Sequence, residues 1–151
     1  MKSFLRSLPL LLGLLVPPPA GANVIAALES HGIDVITRSH CGDSHQNVAS
    51  YYMAGNYVCL NVIGGMNRTA ITHEAVHAAQ DCLAGLNNKR LKPINQASGV
   101  PLRRFVEKLS TSTINHIRAN YPRHLWEIEI EAYALENDPT AVADILNLAC
   151  S

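Results

Sequence analysis

The sequence predicts an α+β fold, and three observations carry that reading. Two runs rich in strand formers, Ala49 to Ala54 and Tyr57 to Ile63, meet at Gly55-Asn56, a tight hairpin signal. A stretch free of helix breakers follows and carries His73-Glu74-Ala75-Val76-His77. Behind it come three further helical segments, two of them marked by Pro101 and Pro122 at their starts. Strands followed by a run of helices around one core make an α+β domain. At 151 residues, 48% hydrophobic and with zero formal net charge, one compact domain is the default.

The first residues read as a cleaved leader. Lys2 and Arg6 form a basic start, Leu8 to Val16 is a short apolar run, and Ala20-Gly21-Ala22 is an A-x-A cleavage pattern. Residues 1–22 are thus expected to be a secretory signal peptide and residues 23–151 a single domain, secreted or periplasmic. The apolar run is far short of the ~20 residues that span a bilayer, so no membrane anchor is expected. Of the 12 basic residues two lie in the leader, leaving 10 against 12 acidic residues, a formal charge of −2. No basic surface suited to phosphates is implied, and nucleic acid is not an expected partner.

All four cysteines, Cys41, Cys59, Cys82 and Cys150, lie beyond the leader. An even count in a small exported chain favours two disulfides, and no pair shows the close spacing of a structural zinc site. Cys41 and Cys59 fall just before and within the hairpin, which makes them the first choice of pair. Cys82 is then left to hold Cys150 and staple the C-terminus to the histidine helix.

Taken in order, Asn23 to His31 reads as a short helix stopped by Gly32, and Ile33 to Thr37 alternates like a strand. Arg38 to Asn47 is polar; its His40, Cys41 and His45 fit no standard ligand spacing. Asn67 or Thr69 can cap the next helix and Gly85 can end it. Gly85 to Gly99 reads as a solvated loop, and Pro101 opens a helix to about Asn120 with Leu102, Phe105, Val106, Leu109 and Ile117 as its stripe. His116 projects into that stripe and reads as a core histidine. Arg123 to Glu136 and Thr140 to Ala149 are the last two helices, separated by Asp138-Pro139.

Residues four apart on a helix lie one above the other, so His73 and His77 project toward one point, as two ligands of one Zn²⁺ must. Glu74, about 100° around the helix, can reach a water held by the metal but is not placed as a third ligand. A carboxylate there can act as general base, the arrangement of the HExxH metalloprotease motif. His73, His77, Gln80 and Ala84 share one helix face. A third protein ligand is still required, and Gln80 and Leu83 at the metzincin positions exclude that class.

Glu127, Glu129, Glu131 and Glu136 on the Arg123–Glu136 helix are the available carboxylates. Glu131 points near the middle of the apolar side set by Ile128, Ile130, Ala134 and Leu135, where a carboxylate needs a partner. Glu131 is therefore the expected third ligand, with Glu127 as runner-up and Glu129 and Glu136 turned with Tyr133 to solvent.

A hairpin ending in an edge strand, HExxH on the next helix and Glu129-Ile130-Glu131-Ala132 on a later one resemble the gluzincin clan of zinc metallopeptidases in minimal form. His77-x-x-Gln80 also recurs in small peptidase-like domains. The resemblance spans roughly Ala49 to Leu135 and lacks most of the larger relatives' substrate-binding lobe. It implies zinc-dependent hydrolysis of a peptide or protein substrate, Glu74 as base, and an edge strand that pairs with an extended peptide. It also implies an oxyanion stabiliser, for which Tyr51, Tyr52, Tyr121, His116 and His124 are candidates. Two other readings compete: an exported module of the same fold that binds a peptide or partner without cleaving it, and a domain that acts only when docked on a larger exported complex.

Overall fold

A computed structural model describes residues 20–41, 49–61, 67–86 and 89–151. The predicted leader lies largely outside these residues, as do His45 and the end of the second hairpin strand at Val62 and Ile63. Among the described residues the chain runs α1 (Ala20–Ser30), β1 (Asp34–Arg38), β2 (Ala49–Tyr52), β3 (Tyr57–Asn61), α2 (Arg68–Ala84), α3 (Ile94–Ser98), α4 (Arg103–Val106), α5 (Thr111–Asn120), a short 3-10 turn (Arg123–Leu125), α6 (Trp126–Leu135) and α7 (Pro139–Ala149). The α+β class follows directly.

The sheet has the order β1-β3-β2, with β1 parallel and β2 antiparallel to β3. The second hairpin strand is thus the central one, and among the described residues β1 and β2 form the edges. Val58, Cys59 and Leu60 of β3 are buried, as a central strand under helices requires. The hairpin closes at the pair Tyr52 and Tyr57, so four residues make the turn and not Gly55-Asn56 alone. Asn56 takes the left-handed conformation at φ 52° and its side chain donates to Gly32 O at 2.8 Å, which ties the turn to the end of α1.

α2 is the centre of the domain. Asn67 caps it by accepting from Ala70 N, and Gly85 leaves it at φ 82°. Its Ala75, Ala78 and Ala79 are fully buried, and their small side chains let α1, α6, α7 and β2 approach its backbone closely. Val24 and Leu28 of α1, Val58 and Leu60 of β3, Val76 of α2 and Val142 and Leu146 of α7 fill one continuous core. Disulfides join Cys41 to Cys59 and Cys82 to Cys150, the pairing expected from the sequence. The second bridge fixes the last turn of α2 to the residue after α7.

Two segments differ from the expectation. The predicted Pro101–Asn120 helix is broken between α4 and α5, because the Ser110 hydroxyl accepts from Thr113 N at 3.0 Å and starts a new helix. The segment expected to be all loop before Pro101 contains α3, whose Ile94 is buried. His116 is exposed on α5, with the Asn120 side chain beside it, and is not part of the core.

Candidate metal centre

His73 and His77 stand one turn apart on α2, with side chains only 12% and 11% exposed. Their Nε2 atoms face a common partner across the α2–α6 contact. His73 Nε2 lies 3.5 Å from Glu129 Oε2, and His77 Nε2 lies 3.6 Å from Glu129 Oε1. These are the spacings of ligands and not of good hydrogen bonds. Two donor atoms about 2.1 Å from one tetrahedral ion are about 3.4 Å apart. Glu129 Oε2 is buried and makes no hydrogen bond; the protonated His73 ring, 3.5 Å away, is the cation nearest to it in the metal-free protein, and a metal ion would take that place. His73, His77 and Glu129 can therefore hold a metal ion, with all three ligand atoms within 4.8 Å of one another.

The other ring nitrogens are already engaged. His73 Nδ1 contacts Glu136 Oε2 at 3.0 Å, and His77 Nδ1 contacts Gln80 Oε1 at 2.9 Å. An oxygen on Nδ1 orients an imidazole and directs the Nε2 lone pair at the ion. Burial favours the neutral form of His73, but the Glu129 and Glu136 carboxylates outweigh it and push its pKa up to about 9 in the metal-free protein.

The expected third ligand, Glu131, is not at this centre. It is fully buried on the other face of α6, where its carboxylate accepts from Ile94 N and Asn95 N at 2.7 Å each and from Gln80 Nε2 at 2.9 Å. A buried carboxylate does need partners, and here the two amides that open α3 supply them. Burial raises the Glu131 pKa and these three donors oppose the rise. Glu127, the runner-up, is exposed and pairs weakly with Gln96 at 3.3 Å. Glu129, Tyr133 and Glu136 do share one side of α6, but that side meets α2 and not solvent.

Glu74, next to His73, opens onto a cleft of about 260 Å³ lined also by Ala49, Asn67, Tyr121, Tyr133 and Glu136. Its Oε2 accepts the backbone N–H of Tyr51 at 2.7 Å, so β2 borders the cleft through its outer edge and Glu74 holds one amide of that edge. Of the candidate oxyanion donors, Tyr51 points its hydroxyl away, to Asp81 Oδ2 at 2.8 Å, and Tyr52 stacks on Tyr57. His124 and His116 are exposed. Tyr121 lines the cleft, its carbonyl held by the Trp126 indole at 2.9 Å. Burial, the Glu129 charge and a hydrogen bond to Tyr133 raise the Tyr121 pKa and keep its hydroxyl a donor. Tyr133, which sequence reasoning turned to solvent, packs edge-on against His73 with ring centres 4.7 Å apart.

Residues 40–151 match the family described as a domain of unknown function (DUF8637), and the chain belongs to that family. No curated protein and no solved structure matches it.

Proposed function

We propose that this member of the DUF8637 family is an exported zinc-dependent peptidase with His73, His77 and Glu129 as metal ligands and Glu74 as general base. The observation that carries the reading is the convergence of two oriented imidazoles on a carboxylate whose buried Oε2 has no other partner. Two histidines and one carboxylate with a position left open are the donor set of catalytic zinc. Bound there, zinc supplies Lewis acidity, which polarises a scissile carbonyl and acidifies a water.

Glu74 takes the proton from the attacking water and returns it to the leaving amine. Tyr121, a neutral hydroxyl lining the cleft, would stabilise the carbonyl oxygen as charge develops on it by turning its hydrogen there from Tyr133. The outer edge of β2 beside the cleft, apart from the Tyr51 amide that Glu74 holds, would offer an extended peptide main-chain partners. Export rests on the leader pattern before Asn23, and two disulfides fit an oxidising compartment. No helix among the described residues is long and apolar enough to cross a membrane.

One observation favours a second reading, a module that binds peptides without cleaving them. The Tyr51 N–H already occupies Glu74 Oε2, a bond that gives this carboxylate a structural use. Metal analysis of the purified oxidised protein, with cleavage of a peptide library by wild type and Glu74→Gln, separates the two. One zinc per chain and cleavage that disappears in Glu74→Gln support the peptidase. Peptide binding without cleavage by the zinc-loaded wild type supports the module.

A further inference from the structure

Gln80 is fully buried one turn beyond His77, and its side chain is held at both ends. Its Nε2 donates to Ile128 O at 3.1 Å and to Glu131 Oε2 at 2.9 Å. Its Oε1 faces His77 Nδ1 at 2.9 Å. A carboxamide has a donor end and an acceptor end, and both groups at the nitrogen end here are acceptors. Turning the amide over would set its oxygen against a carbonyl and a carboxylate at once, so the orientation is fixed by its neighbours. The oxygen end must then face the ring, and an oxygen only accepts. His77 Nδ1 therefore carries the hydrogen and Nε2 carries the lone pair, on the side of Glu129.

We propose that Glu131 is a positioning residue of the metal centre: by fixing the Gln80 amide it selects the His77 tautomer that presents a lone pair to the ion. The proposal deepens the metal reading above and rests on it for its purpose. Glu131 itself is held by the Ile94 and Asn95 amides, and Lys92 N donates to Gln80 O at 3.0 Å. The segment from Lys92 to α3 is thus the support against which the His77 ring is set. A carboxylate suits this role better than an amide would. It accepts at both oxygens and satisfies three donors without an end of the wrong polarity.

The test begins with wild-type, full-length oxidised protein in metal-free form, by nitrogen-15 NMR of the imidazoles at a pH where His77 is neutral. The expected result is hydrogen on Nδ1 of His77; hydrogen on Nε2 overturns the proposal, whatever the variants do. Glu131→Ala removes the charged one of the amide's two acceptors and leaves Ile128 O, which weakens the lock, and chelator competition on the folded variant should show a loss of zinc affinity of roughly 10-fold, the lower end of what outer partners are worth. Its His77 nitrogens should report a mixture of tautomers. Glu131→Gln keeps an acceptor oxygen toward Gln80 and Ile94 but sets its NH2 against the Asn95 amide, so it should lose thermal stability while holding tautomer and zinc affinity near wild type. A Glu131→Ala protein that is only less stable to heat, with tautomer and zinc affinity unchanged, would show that Glu131 merely anchors α3 and would overturn the proposal. Wild type that shows the locked tautomer and binds no zinc overturns the metal reading instead.

Discussion

Tyr51 of the edge strand donates its backbone N–H to Glu74 Oε2 at 2.7 Å, so the proposed base is also the bracket between β2 and α2. The two roles separate by substitution. Glu74→Gln keeps an acceptor oxygen for Tyr51 and removes the base, so fold and zinc content should stay while hydrolysis is lost. Glu74→Ala also strands the Tyr51 amide and should cost a further ~1–3 kcal/mol in a denaturant titration. Equal stability of the two variants would show that the bracket contributes nothing.

Substitution of the α6 carboxylates should rank Glu129 far above the others for metal. Glu129→Ala removes a charged ligand and should weaken zinc by more than about 100-fold, since outer partners alone are worth roughly 10–100-fold. Glu127→Ala, exposed and beside Gln96, should leave zinc affinity unchanged. Chelator competition on both variants checks the ranking. Full zinc retention in Glu129→Ala would remove this carboxylate from the centre.

The histidine half of the site was legible because HExxH is local: one helix and one spacing fix where both rings point. The carboxylate half was not, and α6 shows why. Its apolar residues, Ile128, Ile130, Ala132, Ala134 and Leu135, are spread around the helix, so periodicity does not say which side meets α2. A carboxylate aimed into the core does need a partner, and Glu131 has one. That partner, the first amides of α3, lay in a polar stretch with no helix signal. Glu129, Tyr133 and Glu136 do carry a signal, their common face, but two carboxylates and a phenol on one face read as a side turned to water. The disulfide pairing was readable because the hairpin placed Cys59 near Cys41 and left Cys82 with Cys150.

The two bridges should differ in worth. Cys82–Cys150 spans 68 positions and Cys41–Cys59 spans 18. On the chain-entropy account these closures restrict the unfolded chain by ~4 and ~3 kcal/mol. Cys82→Ser with Cys150→Ser should therefore lower the melting temperature somewhat more than the Cys41→Ser and Cys59→Ser pair. It should also lower zinc affinity, because it frees the end of the helix that carries His73 and His77, the proposed ligands. Calorimetry with zinc titration of both double variants checks this. Equal zinc affinity in the two would show that the staple serves stability alone.

The protonation of His73 sets how metal uptake depends on pH. In the metal-free protein burial favours the neutral ring, yet Glu129 and Glu136 raise its pKa to about 9, against about 6.5 in an unfolded chain. A raised folded pKa means that the folded state holds the proton more tightly. The resulting stability, ~3 kcal/mol at most, is fully present below about pH 6.5 and is lost as pH rises through about 9. A metal ligand must be unprotonated, so zinc and this proton compete for the same Nε2. Uptake at pH 7 should release close to one proton from His73. Apparent affinity should rise nearly tenfold per pH unit through that interval and flatten above about 9. The zinc-loaded protein should lack the decline in stability that the metal-free protein shows between pH 6.5 and 9. Glu136→Gln removes one of the carboxylates responsible, so it should lower the His73 pKa and reduce the protons released at pH 7. Titration calorimetry in two buffers of different ionisation enthalpy counts those protons directly. No release at pH 7 would mean that His73 is already neutral and that the paired carboxylates do not hold its proton.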